Sequence, residues 1–221
     1  MIMTEQRQPS RLEALSDGVF AFAATLLVVS LEVPDTFQEL AHDLSGFGAF
    51  TLSFGALMLI WAVHNGFFRR YGLADGHTTM LNSALLLVVL FYVYPLKFVT
   101  RGLIQTLSGW GPGSPLVLTF EELGRLFALY SAGFIALFLC FALMYRHAWK
   151  IRDRLVLTPL EAHEAAMWWR HYLLFVLVGA ISAVLALTGL GLAIGAPGWI
   201  YALIGPLAWA HGSWSDRRRP V

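Results

Sequence analysis

The chain predicts an all-α membrane protein of six transmembrane helices with both termini cytoplasmic, and three observations carry that prediction. First, 57% of the 221 residues are hydrophobic and only 13% are charged, about half the ~25% charged fraction of soluble domains, and the mean hydropathy is +0.64. Second, apolar stretches long enough to cross a bilayer core of roughly 30 Å recur along the sequence. Third, the basic residues are segregated. With the amino terminus cytoplasmic, twelve of the fifteen (Arg7, Arg11, Arg69, Arg70, Arg146, Lys150, Arg152, Arg154, Arg170, Arg217, Arg218 and Arg219) fall inside, and three (Lys97, Arg101 and Arg125) fall outside. That is the asymmetry that orients membrane helices.

The apolar pattern places helices near 12–32, 46–68, 80–101, 122–146, 169–192 and 196–214, one six-helix unit over residues 1–221 with no separate soluble domain. The first is interrupted by Ser and Thr and lacks a small-x-small cleavage pattern after it, so it reads as a retained helix rather than a signal peptide. Pro95 removes a backbone hydrogen bond near the far end of the third. Ser108 to Pro115, with three glycines and two prolines, reads as a loop, and the Gly/Pro turn at 195–198 separates the last two spans. Gly191 and Gly195, four apart, would permit close helix contact.

The net charge of +1 gives no support for a nucleic-acid partner, and the basic tail around Arg217–Arg219 reads as an anchor against anionic headgroups. Cys140 is the single cysteine and reads as a small buried side chain. His163 and Glu164 begin a His-Glu-x-x-His zinc motif, but Met167 stands where the second histidine belongs. The seven histidines are spread along the chain. With no nucleophile elbow either, the chain is expected to be no enzyme and to need no cofactor.

Chemistry concentrates in the first helix. At 3.6 residues per turn Gly18, Phe22, Thr25, Val29 and Glu32 fall on one line, and lipid has no use for that hydroxyl or that carboxylate. Thr25 has a structural alternative, a hydroxyl bonded to the carbonyl one turn back; Phe22 could be packing, and Glu32 could mark the exit from the bilayer. The opposite face, with Val19, Leu26, Leu27 and Val28, is expected to pack on neighbouring helices. Asp17 is costly within a membrane segment, about 2.5–3.5 kcal/mol at mid-bilayer and less near an end, so it needs a partner or a wet cavity. Arg11 could approach it. Trp61, His64 and Asn82 are the candidates for a polar knot among the first three helices that fixes the rotation of the first. A relay through Asp17 and His64 would instead make a proton- or cation-coupled transporter, although the inverted repeats and broken helices of such proteins are not evident.

"RLEALSDGVFAFAATLL" resembles the Arg-x-x-x-Phe-Ser-Asp signature that opens the first helix of the lysosomal potassium channel family, transmembrane protein 175 and its prokaryotic relatives. "TLSFGALMLIWAVHNGFF" and "LNSALLLVVLFYVYPL" are similar to the family's second and third helices. Arg11, Ser16 and Asp17 match the signature, with Leu15 in place of its Phe. The resemblance implies a homotetramer of six-helix subunits in the plasma membrane, with the first helix lining a central K+ pore. It places a hydrophobic constriction at Phe22, where the family usually has Ile or Leu, a threonine tied to potassium preference at Thr25, and a second constriction at Val29. Small Ala23 and Ala24 would give the Phe22 rings room to swing. K+ would pass near Thr25, and Glu32 would gather cations at the outer mouth. No Thr-Val-Gly-Tyr-Gly segment is present, so selectivity would rest on side chains in place of a carbonyl filter.

Overall fold

A computed structural model describes residues 10–29, 36–37, 46–108 and 118–220, which are mainly helical, with no strand among them. The long helices are α1 (Arg11–Val29), α2 (Phe47–Tyr71), α3 (Gly76–Ser108), α4 (Phe120–Lys150) and α5 (Pro159–Thr188). After a short 3-10 turn at Leu192–Ile194 comes one helical run of three pieces: α6 (Ala196–Trp199), a 3-10 stretch Ile200–Leu203, and α7 (Ile204–Asp216).

Side-chain caps fix where four of the five long helices begin; α2, after Gly46, has none. Ser10 and Glu13 make reciprocal bonds at the start of α1, the Glu13 N–H donating to Ser10 Oγ at 3.2 Å and the Ser10 N–H to Glu13 Oε1 at 3.3 Å. Thr119 with Glu122, and Thr158 with Glu161, form the same box on α4 and α5, each satisfying backbone donors that the first turn leaves free. Asp75 accepts from the Thr78 N–H at 2.9 Å before α3.

These caps account for the largest departure from the apolar reading. α5 starts at Pro159, ten residues before the predicted 169, because its first turns are amphipathic while Thr158-Pro159 specifies a helix start. α2 and α4 overrun their predicted ends by about a turn, and α3 starts at Gly76 and runs on through Pro95 to Ser108, so the predicted loop cannot begin at Ser108. Its remainder, 109–115, lies outside the described residues. So do 30–32, the predicted end of the first helix.

The predicted sixth span is helical but not uniform. Pro206 has no N–H to give the Ala202 carbonyl, and the chain tightens to 3-10 geometry just before it. Gly191 and Gly195 have φ of 72° and 68°, left-handed values that end helices, so they do not form the helix-contact pair expected of them.

Among the described residues four helices, α2 to α5, are individually long and apolar enough to cross a membrane. α1, with 19 residues, carries Arg11, Glu13 and Asp17 in its first two turns. α4 and α5, joined by a tight turn, make the most extensive interface, and α1 packs against both α2 and α3. Closeness at the α3–α4 contact depends on Gly133: a Cβ there would lie 2.3 Å from the Tyr92 ring, whose hydroxyl donates to the Tyr130 carbonyl at 2.8 Å. Phe20, Ala23 and Leu27 of α1 enter the same continuous core as Leu85 and Val89 of α3 and Leu137 and Phe141 of α4.

Candidate functional site

α1 has two unlike faces. Ser16, Phe20, Ala23 and Leu27, spaced by four, three and four, are buried at 2% exposure or less. They seat the helix on its own subunit. On the far side Gly18, Phe22 and Thr25 are exposed, Phe22 at 58%, and a Cβ placed on Gly18 would meet nothing within 4 Å. Val29 ends the helix, with its side chain outside the described residues, as is Glu32. Of the residues expected on the packed face Leu27 is fully buried, but Val28 is 48% exposed, because the buried stripe is centred on Phe20 and Ala23. Ala23 therefore leaves no space beside the Phe22 ring: it faces the core.

Two separate polar contacts pin this rotation. Trp61 Nε1 donates to Asp17 Oδ1 at 2.9 Å. In the interior Asn82 Nδ2 donates to Ser16 Oγ at 2.9 Å, and the Asn82 carbonyl oxygen lies 2.7 Å from His64 Nε2. Since Asn82 spends its amide hydrogens toward Ser16, its oxygen must accept, which puts a proton on His64 Nε2. Ser16 passes its own hydrogen to the Leu12 carbonyl at 2.8 Å. Ser16, His64 and Asn82 are at most 2% exposed, so the knot is dry and each member needs the others. The His64 ring also packs 5.3 Å from Phe20 and 4.8 Å from Phe68.

The structure thus brings Trp61 to Asp17, and His64 and Asn82 to Ser16. Arg11 is exposed at the first residue of α1, and Trp61, not Arg11, is the partner of Asp17 among the described residues. Asp17 and His64 have different partners and are not joined in one relay. Glu164 is clamped between Arg70 at 2.5 Å and Arg219 at 3.1 Å, while His163 lies 3.0 Å from Ser215 Oγ.

Thr25 Oγ1 donates to the Ala21 carbonyl at 2.9 Å. The structural alternative and the functional reading are compatible here, because a hydroxyl that gives its hydrogen backward leaves its oxygen lone pairs facing away from the helix, free to meet a cation. One participant was missed from sequence. Lys97 Nζ reaches the Leu27 carbonyl at 3.5 Å, placing a positive charge at the carbonyl end of α1, where the helix dipole favours one. Its signal in sequence was a lysine two residues beyond Pro95 and one turn before Arg101. Among the described residues no group of three or more His, Cys, Asp or Glu side chains converges to hold a metal.

An all-helical membrane bundle whose first helix is pinned by buried polar bonds and turns a Gly-Phe-Thr edge outward is the class that this fold and site define. The profile of the endosomal/lysosomal potassium channel TMEM175 family matches residues 11–92, the stretch that holds the edge and every partner of the knot. A potassium channel of Marivirga tractuosa is 39% identical over 169 residues, covering 72% of this chain and 66% of that one. One of Chamaesiphon minutus is 29% identical over 168 residues, covering 72% and 75%. Among solved structures, the crystal structure of a threonine-to-alanine variant of the potassium channel MtTMEM175, bound to a nanobody-MBP fusion protein, superposes with a TM-score of 0.86 at 32% identity over 96% of both chains. A Chamaesiphon minutus TMEM175 homolog, at 23% identity and a TM-score of 0.57 over 93% and 97% of the chains, shares the fold. The chain belongs to the TMEM175 family of potassium channels.

Proposed function

We propose that this chain is a passive potassium-selective channel in which α1 of each of four identical subunits lines a central pore. The observation that carries the reading is the two-faced first helix: Gly18, Phe22 and Thr25 lie together on the side turned away from its own subunit, and that side is held outward by the Ser16–Asn82–His64 knot and the Trp61–Asp17 bond. α1 and the run from Ala196 to Asp216 join α2–α5 to complete six crossings in one unit. Both termini then lie on the cytoplasmic side of a plasma membrane, in agreement with the twelve-to-three division of basic residues.

In this arrangement the Phe22 rings, and the Val29 side chains above them, form apolar constrictions that an ion passes only by shedding water and that gate by dewetting. The Thr25 ring between them returns oxygen ligands to the ion. K+ holds its hydration less strongly than Na+, so the barrier is lower for K+, and the preference is modest beside that of a carbonyl filter. Glu32 at the outer mouth raises the local cation concentration, an effect that fades with ionic strength.

The test is flux from K+-loaded liposomes under an imposed voltage. Wild type is expected to conduct without a proton gradient and to favour K+ over Na+, and Thr25→Val, which keeps shape but removes the oxygen, to lower that preference several-fold. Flux that requires a proton gradient, or an unchanged ion preference in Thr25→Val, would count against the reading.

A further inference from the structure

The histidines that are scattered in sequence do not all stay apart in the fold. His171, on α5, and His211, on α7, bring their Nδ1 atoms to 3.4 Å of each other. The rings are held in that pose by aromatic packing on both sides. His171 lies edge-on to Trp168 with centroids 5.4 Å apart and packs 5.1 Å from Phe175, and His211 stacks on Trp214 at 6.1 Å and 29°. The two imidazole planes are inclined at 53°.

A separation of 3.4 Å is long for a hydrogen bond, whose usual range ends near 3.2 Å. It is, however, the length of a tetrahedral ligand edge: two nitrogens at roughly 2.0–2.1 Å from one metal and about 109° apart lie about 3.3–3.4 Å from each other, whereas a cis pair in square or octahedral geometry lies near 2.9 Å. We propose that His171 and His211 form a two-histidine site for a tetrahedral divalent cation of the zinc type, bridging α5 to α7 near the basic end of the bundle. Among the described residues no third His, Cys, Asp or Glu joins the group, and the two remaining positions go to water. Arg170 stands close enough to act electrostatically on His211, although its guanidinium rests over the Trp169 ring at 5.3 Å. Two neutral ligands beside a fixed positive charge make a weaker site than a full set of four protein ligands, so the site would respond to available metal instead of holding it permanently. Binding would clamp the C-terminal helix, whose far end also ties to α5 through Ser215 and His163.

The experiment uses the full chain, purified in detergent without a polyhistidine tag, near neutral pH. Micromolar Zn2+ is expected to raise the thermal midpoint by a few degrees, reversibly with EDTA. The rise should vanish in both His171→Gln and His211→Gln and persist in His77→Gln, a histidine that packs instead on His147. Co2+ in place of Zn2+ should give the visible absorption of a tetrahedral site in the wild type and lose it in the same two variants. No metal-dependent rise, an octahedral Co2+ spectrum, or a rise that survives either His171→Gln or His211→Gln would overturn the site. So would its loss in His77→Gln. The Co2+ spectrum of the wild type decides the geometry even if a variant folds poorly.

Discussion

At the scale of single residues, Asn82 is the position on which the first helix depends. It bonds Ser16 on one side and faces His64 on the other in a site without exposure. Replacing it by an apolar residue of similar size strands two buried polar groups at about 1–3 kcal/mol each. Asn82→Leu is therefore expected to cost on the order of 3 kcal/mol, read as a fall in thermal midpoint, and to lower the yield of assembled channel. Asp17→Asn should cost less, since an amide oxygen still accepts from Trp61 at the partly wet end of the helix. Equal stability of Asn82→Leu and wild type would remove the knot from the account. The sequence made these polar residues conspicuous, because each stands out within an apolar run. It did not reveal that they divide into a pair, Trp61 with Asp17, and a separate triad, Ser16, Asn82 and His64. That pairing depends on which side of α2 carries Trp61 and which carries His64, and only the packed bundle decides it.

Whole elements show where apolar periodicity is informative and where it fails. The positions of α2, α3 and α4 were legible because lipid-facing and core-facing residues are both apolar, which marks a span clearly. The start of α5 was not, because its first turns leave the apolar pattern, and the caps that define it are polar. The closeness of α3 to α4 rests on the absence of a side chain at Gly133, which hydropathy does not register. A methyl group there would meet the Tyr92 ring at 2.3 Å, and the ring is held in place by the hydrogen bond from its hydroxyl. Gly133→Ala is expected to destabilise by about 1–3 kcal/mol through overpacking, more than its gain in helix propensity of about 1 kcal/mol; a raised thermal midpoint would contradict the contact. The turn between α2 and α3 makes a pH-dependent contribution. Burial alone would raise the Asp75 carboxyl, but hydrogen bonds from the Thr78 N–H and from His147, 2.7 Å away, outweigh it and hold it at about 2 against 3.8 when free. A depressed carboxyl stabilises the fold above its unfolded value and ceases to as pH falls through the folded one. Stability on the order of 1 kcal/mol, after allowance for solvent screening of a partly exposed group, should thus be lost between about pH 4 and pH 2. Asp75→Asn, which keeps an acceptor for Thr78, should flatten that decline; parallel melting curves for the two proteins would refute it.

For the molecule as a whole, the decisive question is what covers the Gly18–Phe22–Thr25 edge. A phenyl ring 58% exposed is unremarkable against lipid, but an exposed Gly-Thr pair one turn away is of little use there. On a shared axis the same edge becomes the wall of a path. The family's potassium-channel function makes the axis the natural reading, yet the number of subunits around it is not a property that one chain's internal packing encodes, since no contact within a subunit depends on it. Native mass measurement in mild detergent should give four times the 24.5 kDa subunit, and in that assembly Phe22 becomes the most informative side chain. Four phenyl groups at one level close a path more completely than branched aliphatic groups, and they also force an entering ion to shed water. Phe22→Ala should leave the tetramer mass unchanged, because the ring touches little of its own subunit. It should raise K+ flux into liposomes several-fold by opening the constriction, and admit Na+ more nearly on a par with K+ because hydrated ions then pass. Were α1 instead turned toward lipid, the same substitution would alter neither flux nor ion preference, and that result would move the conduction path to another face of the bundle.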